Sequence, residues 1–415
     1  MTLGTHRLRV LRHARFRRFL LGQTTSLLGS GMNTIATTFA VLRLPGGGVD
    51  AVGGVMAARI LAVLVVLLLG GVFTDRLGAR TVMLAADALR FGSQGVLALL
   101  LLTGGVRIWE VVVLAVLLGV GEGGFMPGLS ALVPGLVPDG ELADANALLE
   151  MARPMTSIAG PGLAGLLVGA FDAGTVVAVD AVSYGVSVVA LVGLPVARVQ
   201  APGRGLFSEL GRGWREFTSR TWLWVTTLHI GLFNCLLWAP FLVLGPSIAE
   251  QRLGGARAWG LVLALEGIGA IVGGVLLLGR NPRRGLTWSV AASAGWAVPA
   301  ATLAMGSPLA WVAGAAFFAG IGAAVCTTLA ATVIQRDVPA EVRGRISAFD
   351  SLGAFALGPL GLALAGPVSG VVGAERLLGF GVLWQVTAVG VVLAMPSVRR
   401  HEATQPLAAR VEAVR

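Results

Sequence analysis

The feature that most constrains this chain is a series of long apolar runs, separated mostly by short polar breaks. The hydrocarbon core of a bilayer is about 30 Å thick, and about 20 helical residues are needed to cross it. The sequence has a mean hydropathy of +0.83 and only 13% charged residues, whereas soluble domains carry about 25%. A soluble fold would have to bury all of these runs in one core. We therefore predict an all-α protein that crosses the membrane many times.

The apolar runs divide into twelve predicted membrane spans. They cover residues 19–43, 51–72, 81–103, 109–133, 143–169, 174–195, 221–247, 257–279, 286–305, 309–332, 345–369 and 374–396. Basic residues collect in cytoplasmic loops, and placing both termini inside leaves few arginines in the outer loops. Those few are Arg43, Arg107, Arg252, Arg257 and Arg376. We predict a multi-pass protein of the cell membrane with both termini in the cytoplasm.

The chain divides near its middle at a long polar segment, and its two halves resemble each other. Asn33 in the first span corresponds to Asn234 in the seventh, and Gly160-Pro161 corresponds to Gly358-Pro359, both at an offset of about 200 residues. Many transporter folds consist of such internal repeats. The predicted division is two pseudo-symmetric six-helix halves, 1–196 and 221–396, a cytoplasmic linker, 197–220, and a cytoplasmic tail, 397–415.

A tight, charged hairpin joins the second and third spans, with the sequence Gly71-Val72-Phe73-Thr74-Asp75-Arg76-Leu77-Gly78-Ala79-Arg80. This hairpin resembles the signature loop of the major facilitator superfamily. The matching positions are Gly71, Asp75, Arg76, Gly78 and Arg80, and the departures are Phe73 and Ala79. The resemblance covers almost the whole chain and implies the twelve-helix major facilitator fold. Asp87 and Arg90 can pair at positions i and i+3, and we predict that they form a cytoplasmic gating network together with the loop.

Charged residues within the predicted spans are functional candidates, because a charge at the bilayer centre costs about 2.5 kcal/mol or more. The candidates for proton coupling are Arg59, Glu122, Arg153, Glu266 and Asp350. The family resemblance places span 2 beside span 11 and span 5 beside span 8. We therefore expect Arg59 to reach toward Asp350 and Arg153 toward Glu266, with a static ion pair as the alternative in each case. Glu122 has no evident partner, which favours it as a proton carrier over a hydrogen bond to a neighbouring helix.

The fifth span contains Gly160-Pro161-Gly162-Leu163-Ala164-Gly165. This segment resembles the Gly-Pro-x-x-Gly-Gly motif of antiporters in the same superfamily. The match rests on Gly160, Pro161 and Gly165, and Ala164 departs from it. The alternative is ordinary packing of small residues between membrane helices.

The first and seventh spans face the central cavity in the family, so the resemblance implies that their polar and aromatic side chains line a substrate site. The candidates are Met32, Asn33, His229, Asn234 and Trp238. Aromatic and methionine side chains with few polar groups suit hydrophobic, variable ligands. For each residue, packing within the bundle is the alternative.

The sequence lacks the patterns that are typical of other classes of function. No Walker A motif, nucleophile elbow or metal-ligand spacing is present, and the two cysteines, Cys235 and Cys326, lie in apolar runs. The arginines of residues 1–18 precede the first span, which favours a membrane anchor over a nucleic-acid site. We expect no enzymatic activity, no cofactor, no metal and no nucleic-acid partner.

Within the superfamily, the sequence is similar to the bacterial drug-efflux branch that includes macrolide and siderophore exporters. The similarity rests on residues 16–24, 83–87 and 344–350. It implies proton-driven export of small hydrophobic drugs or natural products by alternating access, and we expect a monomer in the lipid bilayer. One alternative is uptake of an endogenous metabolite, or lipid flipping. The other is a membrane sensor or scaffold that transports nothing.

Overall fold

The computed structural model describes residues 9–194, 214–280, 282–399 and 401. These residues form helices and turns, and no β-strand occurs among them. Helices satisfy their own main-chain hydrogen bonds, which a chain in lipid requires. Most of the predicted linker and tail lies outside the described residues, so the division into four segments remains a prediction.

Six long helices form the N-terminal half. They are α1 (Ala14–Arg43), α2 (Val49–Leu77), α3 (Ala79–Thr103), α4 (Ile108–Leu132), α5 (Leu142–Ala170) and α6 (Ala173–Leu191). Each overlaps its predicted span, and the ends differ by a few residues. Between α2 and α3 the chain turns at Gly78, whose φ of 82° is a conformation that glycine adopts without strain.

The C-terminal half also contains six helical rods, some of them interrupted. They are α7 (Thr221–Leu253), α8 (Ala256–Leu277), α9 (Gly285–Ser293 and Ala297–Ala304), α10 (Leu309–Asp337), α11 (Ala340–Ala356 and Gly358–Val372) and α12 (Ala374–Ala394). In α7, π-helical turns occur at Asn234–Trp238 and Ala249–Leu253. A 3₁₀ turn, Ala294–Trp296, divides α9.

Nine helices in the described part of the chain are long and apolar enough to cross a membrane. The rods outside that set are α1, α5 and α9, and α5 still contributes a shorter apolar helix, Ile158–Ala170. The all-helical architecture is consistent with the predicted twelve spans. Large apolar side chains such as Val182 and Leu383 are exposed on its surface, as expected where lipid replaces water.

The two halves contact each other mainly through two helix pairs, α5 with α8 and α2 with α11. The predicted neighbours are therefore confirmed. Glycines bring these helices close together: a Cβ atom on Gly165 of α5 would lie 3.1 Å from the Cα of Gly260 on α8. In the second pair, Gly53 of α2 lies against the main-chain carbonyl of Leu362 on α11.

The contacts between α2 and α11 lie toward the end of the bundle that we predict to be outer. The Gly358–Val372 segment of α11 contacts α2, whereas the Ala340–Ala356 segment packs mainly against α7. At the same end, Arg43 of α1 and Glu250 of α7 form an ion pair between the halves, with 2.9 Å between nitrogen and oxygen. The halves are thus joined at the predicted outer end.

Candidate functional site

A cavity of about 480 Å³ lies among α1, α2, α3 and α4, and side chains of α7 and α11 line its remaining wall. Most of its wall consists of valine, leucine, isoleucine and methionine side chains. Its polar, charged and indole-bearing side chains are Asn33, Thr34, Thr37, Thr38, Arg59, Gln94, Glu122 and Trp238. The site is therefore an apolar chamber with a polar strip on α1 and one charged position shared by α2 and α4.

The charged position is an ion pair between Arg59 and Glu122. The Nε of Arg59 donates to Oε2 at 3.1 Å, and the Nη2 donates to Oε1 at 2.5 Å. The side chains are 22% and 21% exposed, and Arg59 lies about 15 Å along α2 from its outer end. This bidentate contact corrects two expectations: Glu122 does have a partner, and Arg59 does not pair with Asp350.

Glycines on α4 explain how these two residues meet. Gly119 lies against the main-chain carbonyl of Arg59, and a Cβ on Gly123 would lie 2.7 Å from the carbonyl oxygen of Val63. The missing side chains let α4 lie directly on α2, so that Glu122, which lies between the two glycines in sequence, reaches the guanidinium. The glycine-rich segment around Glu122 thus permits close helix approach, one of the roles that such glycines are expected to have.

Asp350 has a different partner, within its own half. The hydroxyl of Thr227 on α7 donates to Oδ1 of Asp350 on α11 at 2.5 Å. This contact joins the parts of the two helices that we predict to lie toward the cytoplasm, and it lies away from the cavity wall. A coupling role for Asp350 remains a prediction.

The predicted pairing of Arg153 with Glu266 also remains a prediction, because the side chain of Arg153 lies outside the described part. Glu266 is half-buried on α8, and within the described residues it has no hydrogen bond or ion pair. The main chain at Glu266 packs closely against Gly320 of α10. The helix that carries Glu266, α8, contacts both α5 and α10.

A second pair, Asp87 and Arg90, is buried on α3. The Nη2 of Arg90 donates to Oδ1 of Asp87, which confirms the predicted i, i+3 pairing. The hydroxyl of Ser187 on α6 donates to the other carboxylate oxygen at 2.6 Å. The guanidinium also lies over two aromatic rings, 4.4 Å from the centroid of Phe125 and 4.7 Å from that of Tyr184. These contacts bind α3 to α4 and α6, and a gating role remains a prediction.

The hairpin itself is only partly described. The Nε of Arg80 donates to the main-chain carbonyl of Leu191 at 3.2 Å, where α6 ends and its carbonyls are free. Arg76 is exposed. The side chain of Asp75 and the burial of Gly71 lie outside the described part of the chain.

Asp180 on α6 was not among the candidates from sequence, because it lies nearer the end of its predicted span. It is fully buried, and its Oδ2 has no hydrogen-bond partner among the described residues. The carboxyl group fits against Gly29 of α1, where a Cβ atom would lie 2.6 Å from Oδ1. Next to it along α6, the Tyr184 hydroxyl contacts that of Ser30 at 2.8 Å. Its position was the signal that could have identified it, because Asp180 lies about 10 Å along α6 from the predicted outer end of that helix, within the membrane.

Two of the five predicted cavity residues, Asn33 and Trp238, line the cavity. The other three face elsewhere, which corrects the prediction. Met32 is buried in the core, His229 contacts the Ser293 hydroxyl of α9 at 3.2 Å, and Asn234 donates to the carbonyl of Ala354 on α11 at 2.8 Å.

The reason for this correction is the position of α7 in the bundle. It packs between α11 on one side and the α9 and α12 pair on the other, so that only a narrow face of the helix reaches the cavity. Trp238 and Leu242, four residues apart, form that face.

The antiporter-like segment of α5 lies at two close helix crossings. A Cβ atom on Gly160 would lie 2.8 Å from the Cα of Gly31 on α1, and Gly165 faces Gly260 of α8. The carbonyl of Pro161 also lies against Gly260. These contacts show small-residue packing that holds α5 between the two halves. The antiporter interpretation remains a prediction.

Long apolar helices in two halves, with a chamber at their boundary and a charged pair in its wall, define a membrane transporter. The sequence pattern described as Major Facilitator Superfamily matches residues 19–362. The chain therefore belongs to the Major Facilitator Superfamily.

Several solved transporters have a similar fold. The nucleoside transporter NupG is 12% identical and superposes with a TM-score of 0.70, covering 92% of this chain and 98% of that one. A POT family transporter in complex with 5-aminolevulinic acid has a TM-score of 0.72 at 11% identity, covering 91% and 95%. A bacterial homologue of the iron transporter ferroportin in an inward-facing state has a TM-score of 0.68 at 17% identity, covering 91% and 98%. These identities show a shared fold alone. No curated protein matches the sequence.

Proposed function

We propose that this transporter exports small hydrophobic compounds, such as drugs or natural products, in exchange for protons by alternating access. The observation that carries the proposal is the apolar chamber with the Arg59–Glu122 pair in its wall. Apolar walls with a few fixed polar groups suit hydrophobic ligands of variable shape. In this proposal the protein works as a monomer in the cell membrane, with both termini in the cytoplasm.

Glu122 is the group that would exchange the proton. It lines the chamber and is 21% exposed, so water that enters the chamber can reach its carboxylate. Protonation would remove the negative partner of Arg59 and leave its guanidinium uncompensated at mid-membrane depth, which is costly. Movement of the arginine, or arrival of a substrate, would relieve that cost, and this gives a physical link between proton and substrate.

A second candidate is uptake or flipping of an endogenous metabolite. The observation that favours it is the polar strip of α1, where the Thr37 hydroxyl donates to Oδ1 of Asn33 at 2.8 Å and Thr34 and Thr38 also line the chamber. Such a strip can bind a ligand that has hydrogen-bonding groups at one end. The similar structures bear names that refer to nucleosides, peptides and iron, so the fold accommodates polar substrates as well.

The test is accumulation of a fluorescent hydrophobic dye in cells that express the protein, with and without a protonophore. We expect the wild-type protein to lower accumulation, the protonophore to abolish that effect, and Glu122→Gln to lack it. Glu110→Gln is the matched control, because Glu110 lies at the start of the same helix and away from the chamber. Immunoblots should show equal amounts of each protein in the membrane.

Two outcomes would contradict the proposal. If Glu122→Gln still exports dye and the protonophore still abolishes that export, Glu122 is not the coupling group. If the wild-type protein leaves dye accumulation unchanged, the second candidate is favoured, with a narrow and dedicated substrate.

A further inference from the structure

A second cavity, of about 440 Å³, opens on the lipid-facing surface between α7, α11 and α12. We call it the lateral groove, and it is lined by Cys235, Pro240, Leu364, Val368, Arg376 and Phe380 together with other apolar residues. Leu364 and Phe380 are 47% and 54% exposed. All three helices are long and apolar enough to cross a membrane, so this groove faces the bilayer and is separate from the central chamber.

A close contact at one glycine forms the floor of the lateral groove. A Cβ atom on Gly361 of α11 would lie 2.7 Å from the Cα of Cys235 on α7. The two backbones therefore touch where Gly361 has no side chain. Larger side chains on either side of that contact, such as Leu364 and Phe380, form walls. The lateral groove is therefore an apolar cavity rather than a flat helical surface.

The charged residue in the lining is Arg376, near the start of α12. It is exposed and has no hydrogen-bond or ion-pair partner among the described residues. The adjacent Glu375 forms an ion pair with Arg252, with 2.6 Å between its Oε1 and the Nη1 of the arginine. Two more arginines of the same end are also engaged: Arg43 pairs with Glu250, and Arg257 donates to the carbonyl of Gly169 at 3.0 Å. Arg376 thus differs from these neighbours, because its guanidinium lies in the lining of the lateral groove without a partner among the described residues.

The length of α11 beside the lateral groove matches one leaflet of a bilayer. From Gly361 to Val372, α11 rises about 16 Å, and half of the hydrocarbon core is about 15 Å. Arg376 follows Val372 at the end of the groove, where headgroups lie. A phospholipid with one acyl chain in the groove would therefore place its phosphodiester beside the guanidinium of Arg376.

We propose that the lateral groove binds one phospholipid from the leaflet at this end of the bundle, with an acyl chain along α11 and the phosphate on Arg376. Guanidinium and phosphate groups form strong, bidentate, charge-assisted hydrogen bonds. Lipids with a net negative charge, such as phosphatidylglycerol, bind more tightly than phosphatidylcholine, because the choline cation of the latter competes for its own phosphate. This lipid is a bound component of the protein and does not need to be transported.

Native mass spectrometry of the purified full-length protein tests this site, with phosphatidylglycerol or phosphatidylcholine added to the detergent solution. We expect one retained phosphatidylglycerol on the wild-type protein. Arg376→Gln should weaken that binding about tenfold, the loss expected for one charge-assisted contact. Val368→Trp should abolish retention, because the indole fills the groove while Arg376 remains.

Two matched variants control for charge and bulk. Arg107→Gln removes an arginine from the same end but outside the groove, and Val386→Trp adds an indole on the lipid-facing side of α12, where Val386 is 55% exposed. Both should retain the lipid like the wild-type protein. All variants change exposed or half-exposed side chains, and equal thermal unfolding midpoints would show that they fold. Wild-type retention in either Arg376→Gln or Val368→Trp, or equal loss in the controls, would overturn the proposal.

Discussion

Arg59 on α2 and Glu122 on α4 form a bidentate ion pair in the wall of the central chamber, with hydrogen bonds of 2.5 and 3.1 Å. The two residues are 63 positions apart in the chain. Both belong to the N-terminal half, so the charged group nearest the chamber does not depend on contact between the halves. It can therefore persist while the halves move relative to each other.

The first prediction concerns the energy of this pair. Arg59→Gln and Glu122→Gln should each lower the free energy of unfolding, because each leaves an uncompensated charge. The double variant should be more stable than the sum of the single losses predicts, with a coupling energy of about 1–3 kcal/mol. Unfolding in mixed micelles with increasing dodecyl sulfate measures these values. Additive losses would show that the two side chains do not interact in the folded protein.

The second prediction compares two fully buried carboxyl groups, Asp180 and Asp87. Asp87 accepts hydrogen bonds from Arg90 and Ser187, so Asp87→Asn should lower the free energy of unfolding by about 3 kcal/mol. The Oδ2 of Asp180 has no hydrogen-bond partner among the described residues, and Asp180→Asn keeps the shape of the side chain while removing any charge. We expect no loss, or a small gain, in the same unfolding measurement. A loss as large as that of Asp87→Asn would mean that Asp180 is ionised and has a partner.

The third prediction uses two adjacent glycines of α4. A Cβ atom on Gly123 would lie 2.7 Å from the Val63 carbonyl, whereas one on Gly124 has its nearest neighbour, Val66, at 3.9 Å. Gly123→Ala should therefore separate α2 from α4 and lower stability by about 1–3 kcal/mol. Gly124→Ala should be neutral or slightly stabilising, since alanine favours helix. Thermal unfolding followed by tryptophan fluorescence distinguishes them, and equal effects would place the helix contact elsewhere.

The fourth prediction concerns opening at the outer end and depends on the proposed alternating access. Arg43 and Glu250 join the two halves, whereas Arg252 and Glu375 pair within one half. Exposed ion pairs contribute about 0.2–1 kcal/mol. Arg43→Gln should therefore raise the population open at this end by a factor of about 1.4 to 5, and Arg252→Gln should leave it unchanged.

Distances between spin labels would measure that population. Suitable sites are Trp109 in the N-terminal half and Met305 in the C-terminal half, which are 60% and 81% exposed, each replaced by cysteine after the native cysteines are removed. Longer distances in Arg43→Gln alone are expected. The same distance distribution in wild type and Arg43→Gln would show that the ion pair does not hold the outer end closed.

The positions of the helices could be predicted because the signals are local. Hydropathy is read from consecutive residues, and each predicted span overlaps a helical rod such as α3 (Ala79–Thr103) or α12 (Ala374–Ala394). The turn at Gly78 follows from glycine's access to positive φ. The pairing of Asp87 with Arg90 follows from the helical repeat, since residues three apart lie on one face.

The partners of the other charged residues could not be predicted, because they depend on which helix faces which and at what rotation. The family resemblance correctly placed α2 beside α11, but α2 also packs against α4, and Arg59 turns toward that neighbour. Similarly, Asn234 and Trp238 lie on one helix, yet Trp238 lines the chamber and Asn234 bonds to α11. A residue's type indicates that it needs a partner but does not identify that partner.

The sequence by itself determined that this chain is a helical membrane protein with a repeated, two-half plan, since hydropathy, arginine placement and internal similarity are properties of the linear chain. The tertiary structure alone decided which acidic residue pairs with Arg59, which side chains line the chamber and that Arg376 has no ion-pair partner among the described residues. The physical reason is packing: glycines such as Gly119 and Gly123 set the distance and rotation between helices, and those quantities determine which distant side chains come into contact.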